Sequence, residues 1–225
     1  MEIANFKPVA DRALLVELGT QVDDAINRQI IALDQKIAGA NIEGLIETVP
    51  AMVNLLVVFD PLITDHETVQ RRVETLFPLE DAGATGGKTH RLNICYDSEL
   101  SPDLEAVAQA VGLSKEAVIN AHSRAQYRVS MYGFVPGFAY LSGVPDGIQV
   151  PRKTNPVRDI PAGSVIIAGP QCLTTTLKMP TGWSIIGRSD ADILTGNSDK
   201  PFLFDVGDTV TFNRVRRDDL GWIET

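Results

Sequence analysis

The sequence predicts a two-layer α+β domain followed by a small β-barrel. Two observations carry this. The first 80 residues alternate β-type runs and helical periodicity in the order β-β-α-β-β-α, which suits a sheet with helices on one face. From Tyr132 to Ser189, glycine and proline recur every few residues between short apolar runs. Glycine permits positive φ and close backbone approach, and proline fixes φ and removes a donor, so this stretch reads as short strands folding back on one another.

Phe6–Val9 and Ala13–Leu18 read as two strands joined at Asp11-Arg12. Val22, Ile26, Ile30, Leu33 and Ile37 then follow at helical spacing, and Gly39 is a stop. Residues 42–49 and 52–59, split by Pro50, predict a hairpin. Thr64 with Glu67 forms a capping-box start to a second helix, whose buried side is Val69, Val73 and Leu76. Small residues and glycines replace apolar ones at 80–90. The expected division is therefore 1–82, a linker 83–90, and 91–225.

Leu92–Tyr96 predicts the first strand of the second domain. Ser101 with Pro102 opens a helix that Gly112 stops, and Ser114 opens another running to about His122. Strand-like sequence resumes at Tyr127 and continues to Phe212, with a polar turn at Asn197–Lys200 and a last strand at Thr209–Phe212.

Composition bounds the function. The chain has 225 residues, 44% hydrophobic and 22% charged, and can bury a full core without disulfide staples. Two cysteines make no disulfide framework, and no apolar run is long enough to span a membrane. Met1–Pro8 carries no basic leader region, so a cytoplasmic protein is expected. The net charge of −9 disfavours nucleic acid and anionic membrane.

Three motifs invite a function and lack its context. Ala82–Thr89 fits a relaxed phosphate-loop pattern, yet no buried strand precedes it and a strand, not a helix, follows. Residues 103–122 resemble a helix-turn-helix, but Lys115, Asn120 and Arg124 are a thin basic set beside Glu116. Cys172 and His122 could pair as thiolate and imidazole, yet nothing local supplies an oxyanion hole. The three histidines have no metal spacing, so no metal is expected.

What remains is the barrel stretch. Arg152, Arg158 and Arg188 stand beside turns, where guanidinium groups clamp carboxylates. Gln171 brings an amide that gives and accepts hydrogen bonds. Phe138 and Tyr140 are candidate pocket walls, with Phe134 nearby.

The most specific segments are Gly133-Phe134-Val135-Pro136-Gly137-Phe138-Ala139-Tyr140-Leu141, Pro161-Ala162-Gly163-Ser164-Val165 and Gly182-Trp183-Ser184-Ile185-Ile186-Gly187-Arg188. With Asp11–Val16 and Phe59-Asp60-Pro61, they resemble the family of allophanate hydrolase subunit 1, also known as the 5-oxoprolinase B subunit and as KipI. The resemblance implies a small α+β domain and a cyclophilin-like β-barrel domain. It implies a non-autonomous part of an ATP-dependent amidohydrolase acting on a small cyclic amide or carboxylate such as 5-oxoproline. The implied partners are a homologous barrel protein, of the 5-oxoprolinase C-component or allophanate hydrolase subunit 2 type, and a third, LamB/YcsF-like component. No cofactor is expected on this chain, with ATP used by a partner. In the KipI branch, the implied role is inhibition of a sensor histidine kinase.

On this resemblance Arg152 and Arg188 are expected to hold the acid, with Phe138 and Tyr140 beside them. Gln171 would orient an amide, and His122 would carry a proton. The sequence departs from the family pattern at Val157, Asp159, Pro170, Cys172 and Thr181. The frame is kept while part of the pocket chemistry changes.

Overall fold

A computed structural model describes residues 4–79 and 87–221 and divides into two compact units, 1–86 and 87–225. In the first unit, strands β1 (Asn5–Val9), β2 (Ala13–Glu17), β3 (Leu45–Pro50) and β4 (Asn54–Phe59) form an antiparallel sheet in the order β1-β2-β4-β3. Alternation along β4 buries Leu55, Val57 and Phe59. They meet Ile30, Leu33 and Ile37 of helix α1 (Asp24–Gly39) and Val69 and Val73 of α2 (His66–Glu74) in one core.

The helix starts differ from expectation for a local reason. Asp23 caps α1, its carboxylate accepting from the amides of Ala25 (2.7 Å) and Ile26 (3.1 Å). Val22 therefore lies before the helix and is 61% exposed, not on its buried face. Asp65, rather than Thr64, caps α2 through the amide of Thr68.

The stretch expected as a linker lies outside the described residues as far as Gly86, as does most of the phosphate-loop pattern. Thr89 and His90 already belong to strand β5 (Thr89–Ile94). The second unit continues with α3 (Leu104–Val111), α4 (Lys115–Arg124), β6 (Gln126–Tyr132), β7 (Ala139–Ser142), β8 (Val157–Ile160), β9 (Ser164–Ala168), β10 (Gln171–Thr174), β11 (Met179–Thr181), β12 (Ser184–Arg188) and β13 (Thr209–Arg214). Seven strands form one mixed sheet in the order β12-β9-β10-β7-β6-β13-β5. The first and last in sequence, β5 and β13, pair in parallel from Thr89–Thr209 to Ile94–Arg214. The sheet then meets itself: the Cys95 amide donates to the Arg188 carbonyl (2.8 Å) and the Arg188 amide to the Cys95 carbonyl (2.9 Å). The result is a nearly closed β-barrel, in which closure removes an exposed edge.

Gly187 makes that closure possible. A Cβ there would lie 2.8 Å from Ile94 Cδ1 and 2.9 Å from the Cys95 carbonyl oxygen. The register of β12 against β9 shifts between Ile185 and Gly187, a bulge of the kind that bends a strand into a barrel.

Strand β9 is buried along its whole length. Val165 and Ile167 join the barrel core, while Ile166 and Ala168 face a second cluster with Phe138, Ile160, Met179 and Trp183. That second cluster is covered by the β8–β11 ribbon. Burial on both faces explains the unbroken apolar run Val165-Ile166-Ile167-Ala168.

The helix pair feeds Leu104, Val107, Ala108, Val118 and Ile119 into the barrel core. Gly112 at φ +69 stops α3, and the Ser114 hydroxyl caps α4 through the amide of Ala117. The start of α3 differs from expectation. Ser101 donates instead to the carbonyls of Tyr96 (2.8 Å) and Asp97 (2.9 Å), and the helix begins at Leu104. Asp103 accepts from Lys153 Nζ (2.6 Å) and from the Ile185 amide (2.7 Å), fastening the helix to β12.

Candidate functional site

A hollow of about 280 Å³ opens where β12 ends. Its walls come from three sequence-distant turns: Ala162-Gly163 before β9, Thr175-Thr176 after β10, and Arg188 to Leu194 after β12. Gly163, at φ +79, lets the first turn fold back, and its amide donates to the Thr175 carbonyl (2.7 Å). The Thr175 hydroxyl accepts from the Ser164 amide (3.0 Å) and donates to the Pro161 carbonyl (2.9 Å). The Ser189 amide donates to the Gly163 carbonyl (2.8 Å). The three turns are thus cross-linked through backbone groups, which gives the hollow rigid walls.

Arg188 reaches this hollow half-buried, its Nε donating to the Ala162 carbonyl (3.2 Å). Burial lowers its pKa from the usual arginine value, and the guanidinium remains a cation at neutral pH. Asp190 and Asp192 line the same hollow two and four residues on. One Asp190 oxygen accepts from the Gly221 amide (2.7 Å).

The Gly133–Phe138 turn stands against the hollow's edge. Gly137, at φ +73, leaves no room for a Cβ: one would lie 2.7 Å from Leu194 Cδ2 and 3.1 Å from Thr176 Cγ2, and both residues line the hollow. The Thr176 hydroxyl donates to the Pro136 carbonyl (2.9 Å). At the head of this turn Phe134 is 69% exposed and takes φ +75, a conformation that costs a bulky residue about 1–2 kcal/mol.

Among the expected site residues, Arg188 alone lines this hollow. Gln171 begins β10 opposite Ala168, whereas Arg188 lies opposite Ser164. Four residues of β9 separate the two positions, or about 13 Å. Arg152 is exposed, with its guanidinium 5.6 Å from the centre of the Trp183 ring. Phe138 and Tyr140 belong to a chain of tilted and edge contacts from Phe134 to Trp183, with centroids 5.5–6.0 Å apart, on the outer face of the barrel. Arg158 is exposed on β8.

His122, expected to carry a proton, is buried in the barrel unit. It is 0% exposed, with Nδ1 2.7 Å from the Tyr96 hydroxyl and Nε2 3.5 Å from Cys172 Sγ. Phe212 and Tyr127 pack on its ring. Burial pushes the imidazole down to about 3 and raises the Cys172 thiol. The suspected thiol–imidazole pair therefore does meet, but as a neutral pair sealed in the core.

The other motifs also resolve. The buried faces of α3 and α4 belong to the barrel core, and Lys115 and Glu116 are engaged with Glu105 (3.1 Å) and Arg214 (2.6 Å). The phosphate-loop pattern runs at its described end into strand β5 rather than a helix. A broader hollow of about 480 Å³ lies by Asp97, Arg214 and Asp219, and none of the expected site residues lines it.

Sequence comparison decides the family. Residues 4–204 match the family described as "Carboxyltransferase domain, subdomain C and D". The B subunit of 5-oxoprolinase from Bacillus subtilis (strain 168) is 33% identical over 94% of this chain and 92% of its own length. The chain belongs to the 5-oxoprolinase B-subunit family. The Escherichia coli O157:H7 protein of the same name is 32% identical, over 94% of this chain and 96% of its own. TTHA0988 superposes with a TM-score of 0.80 at 32% identity, covering 92% of this chain and 40% of TTHA0988. PH0987 of Pyrococcus horikoshii, described as a conserved uncharacterized protein, is 37% identical over 96% of this chain and 99% of its own, with a TM-score of 0.57. The urea amidolyase of K. lactis shares the fold, with a TM-score of 0.74 at 17% identity over 96% of this chain and 15% of that one. In this member of the 5-oxoprolinase B-subunit family, Arg188 closes the third signature segment, and the structure places that residue in the hollow.

Sequence reasoning missed Asp190 and Asp192. The available signal was two acids within four residues of Arg188, in the turn that follows the third signature segment.

Proposed function

We propose that this chain is a subunit of an ATP-dependent 5-oxoprolinase, holding the substrate carboxylate at Arg188 while a partner supplies the ATP chemistry. The observation that carries the reading is the half-buried Arg188 guanidinium in a rigid-walled hollow of a size for a small acid. Membership of a family whose members are named as the B subunit of 5-oxoprolinase supports the substrate class. A guanidinium fork binds a carboxylate through two parallel hydrogen bonds, and partial burial strengthens them.

The hollow is open, so water is excluded only when something covers it. The exposed Phe134 turn and Leu194 give its edge an apolar character suited to a protein partner. The partner that fits is a homologous barrel subunit, and a LamB/YcsF-like protein completes the set. Chemistry of this kind belongs in the cytoplasm, where Cys95 and Cys172 stay as thiols. Among the described residues no helix is long and apolar enough to cross a membrane.

The exposed Phe134 also favours a second reading, a KipI-like inhibitor that docks on a sensor histidine kinase. One experiment separates them. The chain is co-expressed with its candidate partner subunits, and ATP-dependent glutamate release from 5-oxoproline is measured. Turnover that Arg188→Ala abolishes, with thermal stability kept, supports the enzyme. No turnover by a folded set, together with inhibition of kinase autophosphorylation, supports the inhibitor.

A further inference from the structure

The hollow holds both signs of charge. Arg188 supplies a cation, and Asp190 and Asp192 supply carboxylates to the same walls. Asp190 is held in place because one of its oxygens accepts from the Gly221 amide. An ionised carboxylate has about four acceptor positions, so that bond leaves Asp190 able to accept from a ligand. Thr175 and Thr176 are less available, since their hydroxyls donate to the Pro161 and Pro136 carbonyls.

This donor and acceptor set discriminates among small acids. A dianion gains from Arg188 and is repelled by two aspartates. A plain monoacid satisfies Arg188 and offers the aspartates no donor. A molecule with one carboxylate and one N–H donor satisfies both ends, and its N–H to carboxylate bond is charge-assisted. The hollow's 280 Å³ falls just below the roughly 300–1,000 Å³ of pockets for drug-sized ligands, so it suits a small molecule rather than a nucleotide.

We infer that the hollow selects small carboxylates that also present an N–H donor, with Arg188 taking the carboxylate and Asp190, assisted by Asp192, accepting the N–H. This rests on the 5-oxoprolinase reading and adds a specificity determinant to it. The two aspartates recognise the ring nitrogen rather than the acid group. A lactam with an adjacent carboxylate meets the requirement.

The test compares 5-oxoproline with 3-oxocyclopentane-1-carboxylate, which keeps the carboxylate and the ring carbonyl and replaces N–H with CH2. Binding is measured calorimetrically on the chain alone and on the complex assembled with its partner subunits. We expect 5-oxoproline to bind about ten-fold or more tightly than the carbocycle, because an acceptor left facing CH2 loses its hydrogen bond. In Asp190→Ala/Asp192→Ala the preference should fall to within about two-fold, while Arg188→Ala should weaken both compounds. Asp190→Asn keeps an acceptor for the Gly221 amide and should show an intermediate preference if the double variant fails to fold. Equal binding of the two compounds to the unmodified protein overturns the inference and leaves the role of Arg188 standing, as does a preference that survives in the aspartate variants. Binding of both compounds that is untouched by Arg188→Ala, or no binding by chain or complex, overturns the inference and the reading beneath it.

Discussion

Cys95 and Arg188 exchange two backbone hydrogen bonds, of 2.8 and 2.9 Å, where the barrel sheet meets itself. The backbone of Arg188 therefore closes the barrel while its side chain enters the hollow. These roles separate under mutation. Arg188→Ala keeps the backbone bridge and loses the hydrogen bond to the Ala162 carbonyl, so it should cost about 1 kcal/mol.

Gly187→Ala should act in the opposite way. The new methyl meets the buried Ile94 side chain and the Cys95 carbonyl oxygen, and that oxygen cannot withdraw without opening the bridge. A loss of about 1–3 kcal/mol is expected, as for other overpacked sites. Urea denaturation of both variants checks this, with Gly187→Ala the less stable.

Acidification should weaken the barrel through His122. Its folded pKa, about 3, lies below the unfolded value of about 6.5. The unfolded chain therefore takes up the proton more readily, and stability falls as pH drops from about 6.5 toward 3. At pH 5 the loss from this residue is about 2 kcal/mol. Asp34 works the other way, because burial raises its carboxyl and favours the fold as pH falls. His122→Phe shares that contribution, so the difference in urea midpoint between wild type and variant isolates the histidine. It should shrink steadily from pH 7 to pH 5.

Phe134→Gly should separate folding from assembly. Glycine accepts φ +75 without strain but adds unfolded-state freedom, so stability should stay within about 1 kcal/mol of wild type. Loss of an exposed aromatic should weaken binding of the partner protein. Co-purification together with a thermal melt measures both, and undiminished assembly would exclude the turn as a docking point.

Asp103 joins the start of α3 to β12 and to Lys153. Asp103→Ala removes two charge-assisted bonds and should cost about 2–4 kcal/mol, whereas Lys153→Met leaves the Ile185 bond and should cost less. Guanidinium titration of the two variants ranks them.

Much of this fold was legible because its periods are local. The alternation Leu55, Val57, Phe59 and the helical spacing of Ile30, Leu33 and Ile37 each report one buried face. Helix starts were less legible, since several nearby residues can cap, and the Asp23 and Asp65 geometries won. The site was harder still. Arg188, Gln171 and Arg152 all stand near turns, but strand register sends Gln171 to the opposite end of β9 and the Trp183 ring takes Arg152. Pairings such as Cys95 with Arg188 leave no local mark in the chain. His122, expected to carry a proton, is surrounded by Tyr96, Cys172 and Phe212.

The parallel pairing of β5 with β13 has a bearing on how the protein is made. Its partners stand 120 residues apart. During synthesis β5 leaves the ribosome long before its neighbour exists, with one edge bare. Contacts so remote in sequence form slowly, and unpaired strand edges invite aggregation. The barrel is therefore completed only once Thr209–Arg214 arrives to occupy the waiting edge.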